Sequence, residues 1–165
     1  MLAATGRVVL ALMAGGVFVG CGGEAVDCQP GQAAALVGGG SESTGFVVMS
    51  SGDAMTVVLG PQGLYMVTPS VRVQNMYPGE AGRVGNDADP LVEFTLVLDG
   101  EVIGGSAREH LGMAEGPDGA ERLGVFTPFT PDLSTYIGRT VTVRVEVEDA
   151  CGQTATAALD VVADQ

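Results

Sequence analysis

Asp87 and Asp89 lie two residues apart beside Pro90 in an irregular stretch, residues 79–90, GEAGRVGNDADP. Carboxylates in this arrangement are the hard oxygen ligands that calcium prefers. A complete calcium site needs about six to eight oxygens, so further carboxylates would have to converge on the pair. The candidates are Glu80, Glu93 and Asp149. The alternative is that the Asp and Asn residues only form turns and carry solvated charge.

His110 is the only histidine of the chain, which limits both metal chemistry and catalysis. Together with methionines, His110 could offer soft ligands to copper(I). The spacing of these residues matches no known metal-binding motif, however, and methionines at apolar positions are more often core residues. The methionines concerned are Met49, Met66, Met76 and Met113. A Ser-His-Asp triad would have to use His110, and no G-x-S-x-G motif is present. These residues therefore favour a protein without catalytic activity over an enzyme.

Cys21 follows an apolar run of twelve residues, 8–19, which is preceded by the single charge of Arg7. As a helix this run would span about 18 Å, which is too short for a hydrocarbon core about 30 Å thick. A positive start, a short apolar run and small residues after it are typical of a secretory signal peptide. A plain signal peptide and an uncleaved anchor both remain open at this point.

The residues Phe18-Val19-Gly20-Cys21 resemble the bacterial lipobox, in which leucine usually stands at the position of Phe18. The resemblance implies that residues 1–20 are removed as a lipoprotein signal peptide and that Cys21 is acylated. Several acyl chains, at about 0.8 kcal/mol per buried methylene, anchor a protein stably without a spanning helix. Because Gly22 and not Asp follows the cysteine, the resemblance also implies sorting to the outer membrane of the bacterial cell envelope.

Cys28 and Cys151 remain once Cys21 is assigned to lipid. In an exported chain two remaining cysteines most simply form a disulfide, with two free thiols as the alternative. Closing a loop of this length would stabilise the fold by about 5 kcal/mol on the chain-entropy model. The sequence therefore predicts a bridge between the start of the mature chain and its far end.

The mature chain is strongly acidic, with 20 carboxylates, six arginines and no lysine, a formal charge near −14. Such a surface disfavours nucleic acid and anionic lipid headgroups. It tolerates divalent cations and basic partners. About 145 residues suit one domain with its own core, and residues 21–32 are polar and Gly-rich, which predicts a short lipidated tether.

Beyond the tether the hydrophobic pattern has period two, which indicates strands. The valines from Val141 to Val147 alternate with polar residues, and residues 155–161 carry the same alternation back after a turn at Cys151, so a C-terminal hairpin is predicted. Other predicted inward faces lie at residues 55–59, 65–73 and 92–98. The dipeptide Asp99-Gly100 predicts a two-residue hairpin turn. An edge strand is predicted at Phe46 to Met49, and a last strand at Leu123 to Thr127. The segment Ser106 to Met113 has a composition that is compatible with a short helix.

Seven to nine short strands with regular turns predict an all-β antiparallel sandwich. The C-terminal run TVTVRVEVEDACGQTATAALDVV resembles the last two strands of bacterial immunoglobulin-like domains, which implies an immunoglobulin-like β-sandwich over residues 33–165. The chain has no tryptophan, so the antibody-type core is missing. The loop around Asp87 and Asp89 resembles in part the calcium linkers of cadherins. The chain also resembles a group of uncharacterised bacterial lipoproteins in the order of three motifs, which are the lipobox, GPQG at residues 60–63 and VEDACG at residues 147–152.

The sequence thus predicts a lipid-anchored protein of the bacterial envelope that acts as a non-catalytic binding, adhesion or structural module. Its partners would be the membrane, through Cys21, and an envelope protein or polysaccharide, met through sheet edges or the loops 79–90 and 112–120. The main alternative is a calcium-binding envelope protein that uses Asp87 and Asp89. An enzyme of unknown class comes third.

Overall fold

The structure is a computed structural model that describes residues 26–130 and 135–165, and these residues form a nearly all-β fold without an α-helix. The described residues form fourteen strands, more than the predicted seven to nine, because six of them have only two or three residues. In chain order the strands are β1 Ala34–Ser41, β2 Gly45–Val48, β3 Ala54–Thr56, β4 Val58–Leu59, β5 Tyr65–Val67, β6 Ser70–Gln74, β7 Leu91–Leu98, β8 Glu101–Gly105, β9 Glu109–His110, β10 Ala114–Gly116, β11 Gly119–Arg122, β12 Thr127–Pro128, β13 Thr140–Glu148 and β14 Thr154–Asp164.

The strands form three sheets. Sheet A has the order β10-β11-β6-β1-β2, and sheet B has the order β3-β14-β13-β7-β8, with β9 also paired to β7. The small sheet C has the order β12-β5-β4. Every pairing is antiparallel except that of β3 with β14, which is parallel. The predicted all-β, antiparallel-rich architecture is therefore confirmed.

Sheets A and B share one apolar core because their alternating side chains meet between them. On β13 the valines at 141, 143, 145 and 147 are all buried, while the residues between them lie outside, as the period-two pattern predicts. Val37, Val71 and Val73 come from β1 and β6 and belong to the same cluster. β1 lies against β13 and β14 of the other sheet. The predicted C-terminal hairpin is confirmed over its whole length.

Two local predictions are confirmed by backbone geometry. Asp99 and Gly100 both have positive φ, 52° and 87°, which is the requirement of a type I′ turn, and they join β7 to β8. The strand predicted at Phe46 to Met49 is β2, Gly45–Val48, and it is the outer strand of sheet A.

The helix-compatible segment Ser106 to Met113 is not a helix. It contains β9, which pairs with the start of β7, and a chain segment that packs along the loop 79–90. The peptide N–H of Leu111 donates to Pro90 O at 2.8 Å, and that of Met113 donates to Pro78 O at 2.9 Å. These long-range backbone hydrogen bonds override a weak local helix preference.

The strand predicted at Leu123 to Thr127 is also wrong. The chain leaves sheet A after β11 and joins sheet C at β12, so residues 123–126 are a connection between two sheets. Leu59 and Tyr65, predicted to face inward, are exposed because they form a pair in the β4–β5 hairpin of sheet C, outside the main core. The residues from Gly60 to Gly63 form the turn of this hairpin.

The predicted signal peptide, residues 1–20, and Cys21 lie outside the described residues. Within the described part, no helix has the length and apolar character that would let it cross a bilayer. Residues 26–32 have no regular secondary structure.

Candidate functional site

The disulfide between Cys28 and Cys151 is present, as the sequence predicts, with the two Cα atoms 5.8 Å apart. It joins the segment before β1 to the turn between β13 and β14, across a sequence separation of 123 residues. Two side-chain amides strengthen the attachment, since Gln153 Nε2 donates to Gln29 O at 2.8 Å and Asn75 Nδ2 donates to Gln32 O at 3.0 Å. The segment that follows the proposed anchor is therefore docked on the domain from Cys28 onward.

Asp149 organises the same end of the domain. Its carboxylate is buried and accepts three backbone N–H groups, from Tyr77 at 2.8 Å, Cys151 at 2.9 Å and Gln153 at 2.9 Å. Such hydrogen bonds to a charged acceptor are stronger than neutral ones. Through these three hydrogen bonds Asp149 holds the disulfide turn in place.

The loop 79–90 places its two aspartates in different environments. Asp87 is exposed, whereas Asp89 has only 1% of its surface exposed, and its Oδ1 accepts the N–H of Glu80 at 2.8 Å. The loop is pressed against the following chain at Gly112, where a Cβ atom would lie 1.8 Å from Glu80 O, so only glycine fits. Asp89 Oδ2 has no hydrogen-bond partner among residues 26–130 and 135–165. A buried carboxylate oxygen of this kind is costly to leave unpaired.

The carboxylates that calcium would need do not gather around Asp89. Across residues 26–130 and 135–165, no three His, Cys, Asp or Glu side chains are placed to hold a metal ion. Glu80 forms an exposed ion pair with Arg83 at 2.9 Å, and Glu93 lies on β7 opposite Glu146 of β13. Calcium binding at Asp87 and Asp89 therefore stays a prediction, with one buried, unpaired oxygen in its favour.

His110 and the methionines do not form a common site. The ring Nδ1 of His110 lies 2.7 Å from Asp89 O and helps to close the loop 79–90. Met66, Met76 and Met113 are buried, and Met76 and Met113 belong to the main core. Met49 packs against the same core. The methionines act as core residues, as their positions on the strand pattern suggest.

A cluster around Arg72 marks the outer face of sheet A. The guanidinium of this nearly buried residue lies 2.8 Å from Glu121 Oε1 and 3.2 Å from Asp118 Oδ2. It also lies over the ring of Phe46, 4.4 Å from the ring centre, which is a cation–π contact. The Phe46 ring covers Gly38 of β1, because a Cβ atom there would lie 2.5 Å from it. Phe46 on β2 is thus fixed between a glycine and an arginine.

The strand that carries Phe46 ends in exposed apolar residues. Val47 is 45% exposed and Val48 62% exposed, on opposite faces of the outer strand β2. The surrounding chain is almost uncharged, since residues 28–71 contain only two charged side chains, Glu42 and Asp53. We call residues 45–48 the apolar edge. The sequence pattern predicts this edge strand, but not that both of its faces stay exposed.

No known protein family matches this chain, and no curated protein or solved structure shows significant similarity to it. Its functional interpretation therefore rests on the residues and contacts described above.

Proposed function

We propose that this chain is an exported bacterial lipoprotein, cleaved before Cys21 and held on the cell envelope by acyl chains, whose domain acts as a non-catalytic binding, adhesion or structural module. We further propose that the domain is an immunoglobulin-like β-sandwich. Sheets A and B share one core and the C-terminal hairpin has the length that the resemblance implies, and both features support this assignment.

The observation that carries the proposal is the disulfide between Cys28 and Cys151. Disulfides form and persist in oxidising compartments and are rare in the cytosol of mesophilic bacteria. A signal segment that ends in a lipobox-like cysteine leads to such a compartment. The bridge and the N-terminal pattern therefore support the same route of export, although they lie in different parts of the chain.

If the chain is anchored at Cys21, the position of the disulfide supports one orientation of the domain on the membrane. Six residues lie between Cys21 and Cys28, so a fully extended chain of seven residue steps from one to the other spans at most about 25 Å. The turn at Cys151 lies at one end of β13 and β14, and the Asp99-Gly100 turn lies at the other end. In an anchored protein the disulfide end would face the lipid and the Asp99-Gly100 end would face away from it.

The charge of the domain limits its partners. A formal charge of −13 for the whole chain opposes binding to nucleic acid, and an envelope protein or polysaccharide is the partner that we propose. Loops and edges on a rigid scaffold carry such contacts.

A calcium-binding role is the second candidate, because Asp89 Oδ2 is buried and has no partner within the described residues. A ligand that binds only the folded state raises its stability by RT ln(1 + [L]/Kd). A melting curve in millimolar calcium, compared with one in a chelator, tests this role. A rise in Tm that Asp89→Asn removes would support it, and an unchanged Tm would reject it.

Membrane attachment is tested by fractionating cells that express the full-length chain. The wild-type protein is expected in the membrane fraction and in the detergent phase of a two-phase extraction. Cys21→Ser removes the acylated sulfur, so this variant should leave the detergent phase. Gly20→Ala keeps a small residue before the cysteine and should behave as the wild type. Equal partitioning of Cys21→Ser and the wild type would contradict acylation at Cys21.

A further inference from the structure

We infer that the apolar edge, residues 45–48, is an interface at which two copies of this chain pair, β2 against β2, to join their A sheets. An outer strand presents unpaired backbone N–H and C=O groups, which form a template for another strand. On β2 this template carries two neighbouring valines, Val47 and Val48, that are both exposed. The inference does not depend on acylation at Cys21.

The other outer strands of the described residues are protected in ways that β2 is not. β3 and β10 have only three residues each, and β4 and β12 have two. β8 begins with Glu101, and its free side is covered by the chain at Thr130, whose N–H donates to Ile103 O at 2.7 Å. Short length, charge and a covering segment are the usual protections of sheet edges. β2 has four residues, no charge and no proline.

The distribution of charge favours a second copy as the occupant. Two chains of this acidity repel each other, so they can approach closely only where each surface lacks charge. β2 itself carries no charged side chain, and the carboxylates near Phe46, those of Glu121 and Asp118, are paired with Arg72. At physiological salt the remaining charges are screened beyond about 8 Å.

The sequence of β2 is also complementary to itself. In an antiparallel pair with twofold symmetry centred on Val47, each Val47 faces the other Val47 and each Phe46 faces Val48 of the second copy. Glu42 and Asp53, the charged residues nearest to β2 in the sequence, lie in the segments that flank the strand, outside the residues that would pair. Apolar residues therefore face apolar residues, and no carboxylate is placed opposite another.

The cluster around Arg72 fixes one side chain of the apolar edge, Phe46, before any partner binds. Phe46 is held by the guanidinium on one side and by Gly38 beneath it. A side chain that is already fixed loses little conformational entropy when a partner covers it. The pairing would add the two five-stranded A sheets into one continuous sheet.

Cysteine cross-linking of the full-length protein in intact cells, where it is found whether or not Cys21 is acylated, tests the register. Val47→Cys places two thiols opposite each other across the symmetry axis, within reach of a disulfide. Under mild oxidation most of this variant should run as a covalent dimer. The matched control is Ala114→Cys on β10, the outer strand at the other side of sheet A, which is also exposed. The wild-type protein, which has no added cysteine, shows how much covalent dimer forms through Cys21 alone.

A dimer band with Val47→Cys that is at least about ten times stronger than with Ala114→Cys supports the interface. Equal bands would mean random collision, and no band would mean that β2 edges do not meet. Either result would overturn the inference.

Sedimentation equilibrium of the full-length protein, in a detergent matched in density to the buffer, measures the association itself. Val48→Glu brings carboxylates into the interface and should raise the dimer Kd about tenfold or more. Val84→Glu is the matched control because Val84 is 61% exposed and lies in the loop 79–90. Added salt should tighten the wild-type dimer by screening repulsion. A wild-type monomer at all concentrations would contradict the proposal.

Discussion

The two ends of this domain are built from different interactions. At the disulfide end, the Cys28–Cys151 bridge, the Asp149 carboxylate and the amides of Asn75 and Gln153 tie separate segments together. At the opposite end lies sheet C, whose strands have only two or three residues and whose exposed side chains include Leu59 and Tyr65. Specific polar and covalent links dominate one end, and short ladders with apolar surface dominate the other.

The difference has a physical reason. The disulfide end consists of turns and irregular segments, whose backbone groups need partners that no sheet supplies. Asp149 and the side-chain amides supply them. Sheet C pairs much of its backbone through its ladders, and although Met66 and Val67 are buried, the side chains of Leu59 and Tyr65 stay on the surface. Loss of stability should therefore be large for changes at the first end and small at the second.

The largest effect is expected from removing the disulfide. The double variant Cys28→Ala/Cys151→Ala should lose about 5 kcal/mol in free energy of unfolding, because the unfolded chain regains the entropy of a long open loop. Urea denaturation of the variant, beside the wild type with and without reductant, measures it. A loss below 1 kcal/mol, with an unchanged m-value, would show that the bridge does not fix this end.

Asp149→Ala should rank second. It leaves three backbone N–H groups, those of Tyr77, Cys151 and Gln153, without an acceptor at a buried site, which costs about 3 kcal/mol. Asp53→Ala is the control, since among the described residues the exposed carboxylate of Asp53 accepts only the N–H of Ser50, at 2.8 Å. Chemical denaturation should show a loss of under about 1 kcal/mol for Asp53→Ala. Equal losses for the two variants would remove the special role of Asp149.

Arg72→Ala tests the cluster on sheet A, which belongs to neither end. It leaves the nearly buried carboxylate of Glu121 without its cation and should cost about 3 kcal/mol. Arg83→Ala removes an exposed ion pair with Glu80 and should cost about 0.5 kcal/mol or less. Thermal unfolding of both variants at one salt concentration makes the comparison. A larger loss with Arg83→Ala would contradict the described burial of the cluster.

The smallest effect is expected in sheet C. Leu59 is 63% exposed, so Leu59→Ala should change the free energy of unfolding by about 0.5 kcal/mol or less. Leu96→Ala, at a fully buried leucine of β7, should cost about 3 kcal/mol. Denaturation curves that show a loss of 2 kcal/mol or more with Leu59→Ala would mean that this surface is covered in solution.

Much of the fold follows from local sequence. The alternation along residues 141–147 and 92–98 sets two central strands, and Asp99-Gly100 sets the turn between β7 and β8, because period two and turn chemistry are local signals. The pairing of Cys28 with Cys151 is predicted only once the lipobox resemblance assigns Cys21 to lipid and leaves two cysteines. These features need no knowledge of distant contacts.

The rest depends on contacts between distant segments. The chain at residues 106–113 is extended because it bonds to the loop 79–90, and residues 123–126 leave their strand pattern because the chain changes sheets. Asp87 and Asp89 look alike in sequence, yet only Asp89 is buried, since Glu80 and His110 close over it. The burial of one carboxylate and the exposure of both faces of β2 are decided by packing that no local pattern records.

The intact mass of the membrane-extracted protein, measured before and after reduction with thiol alkylation, tests the central claim most directly. We expect a chain that lacks residues 1–20 and carries acyl mass, with two thiols that react only after reduction. That result would confirm both the anchor at Cys21 and the bridge between Cys28 and Cys151. An unprocessed chain with three thiols that react without reduction would contradict the export, the anchor and the orientation that follows from them.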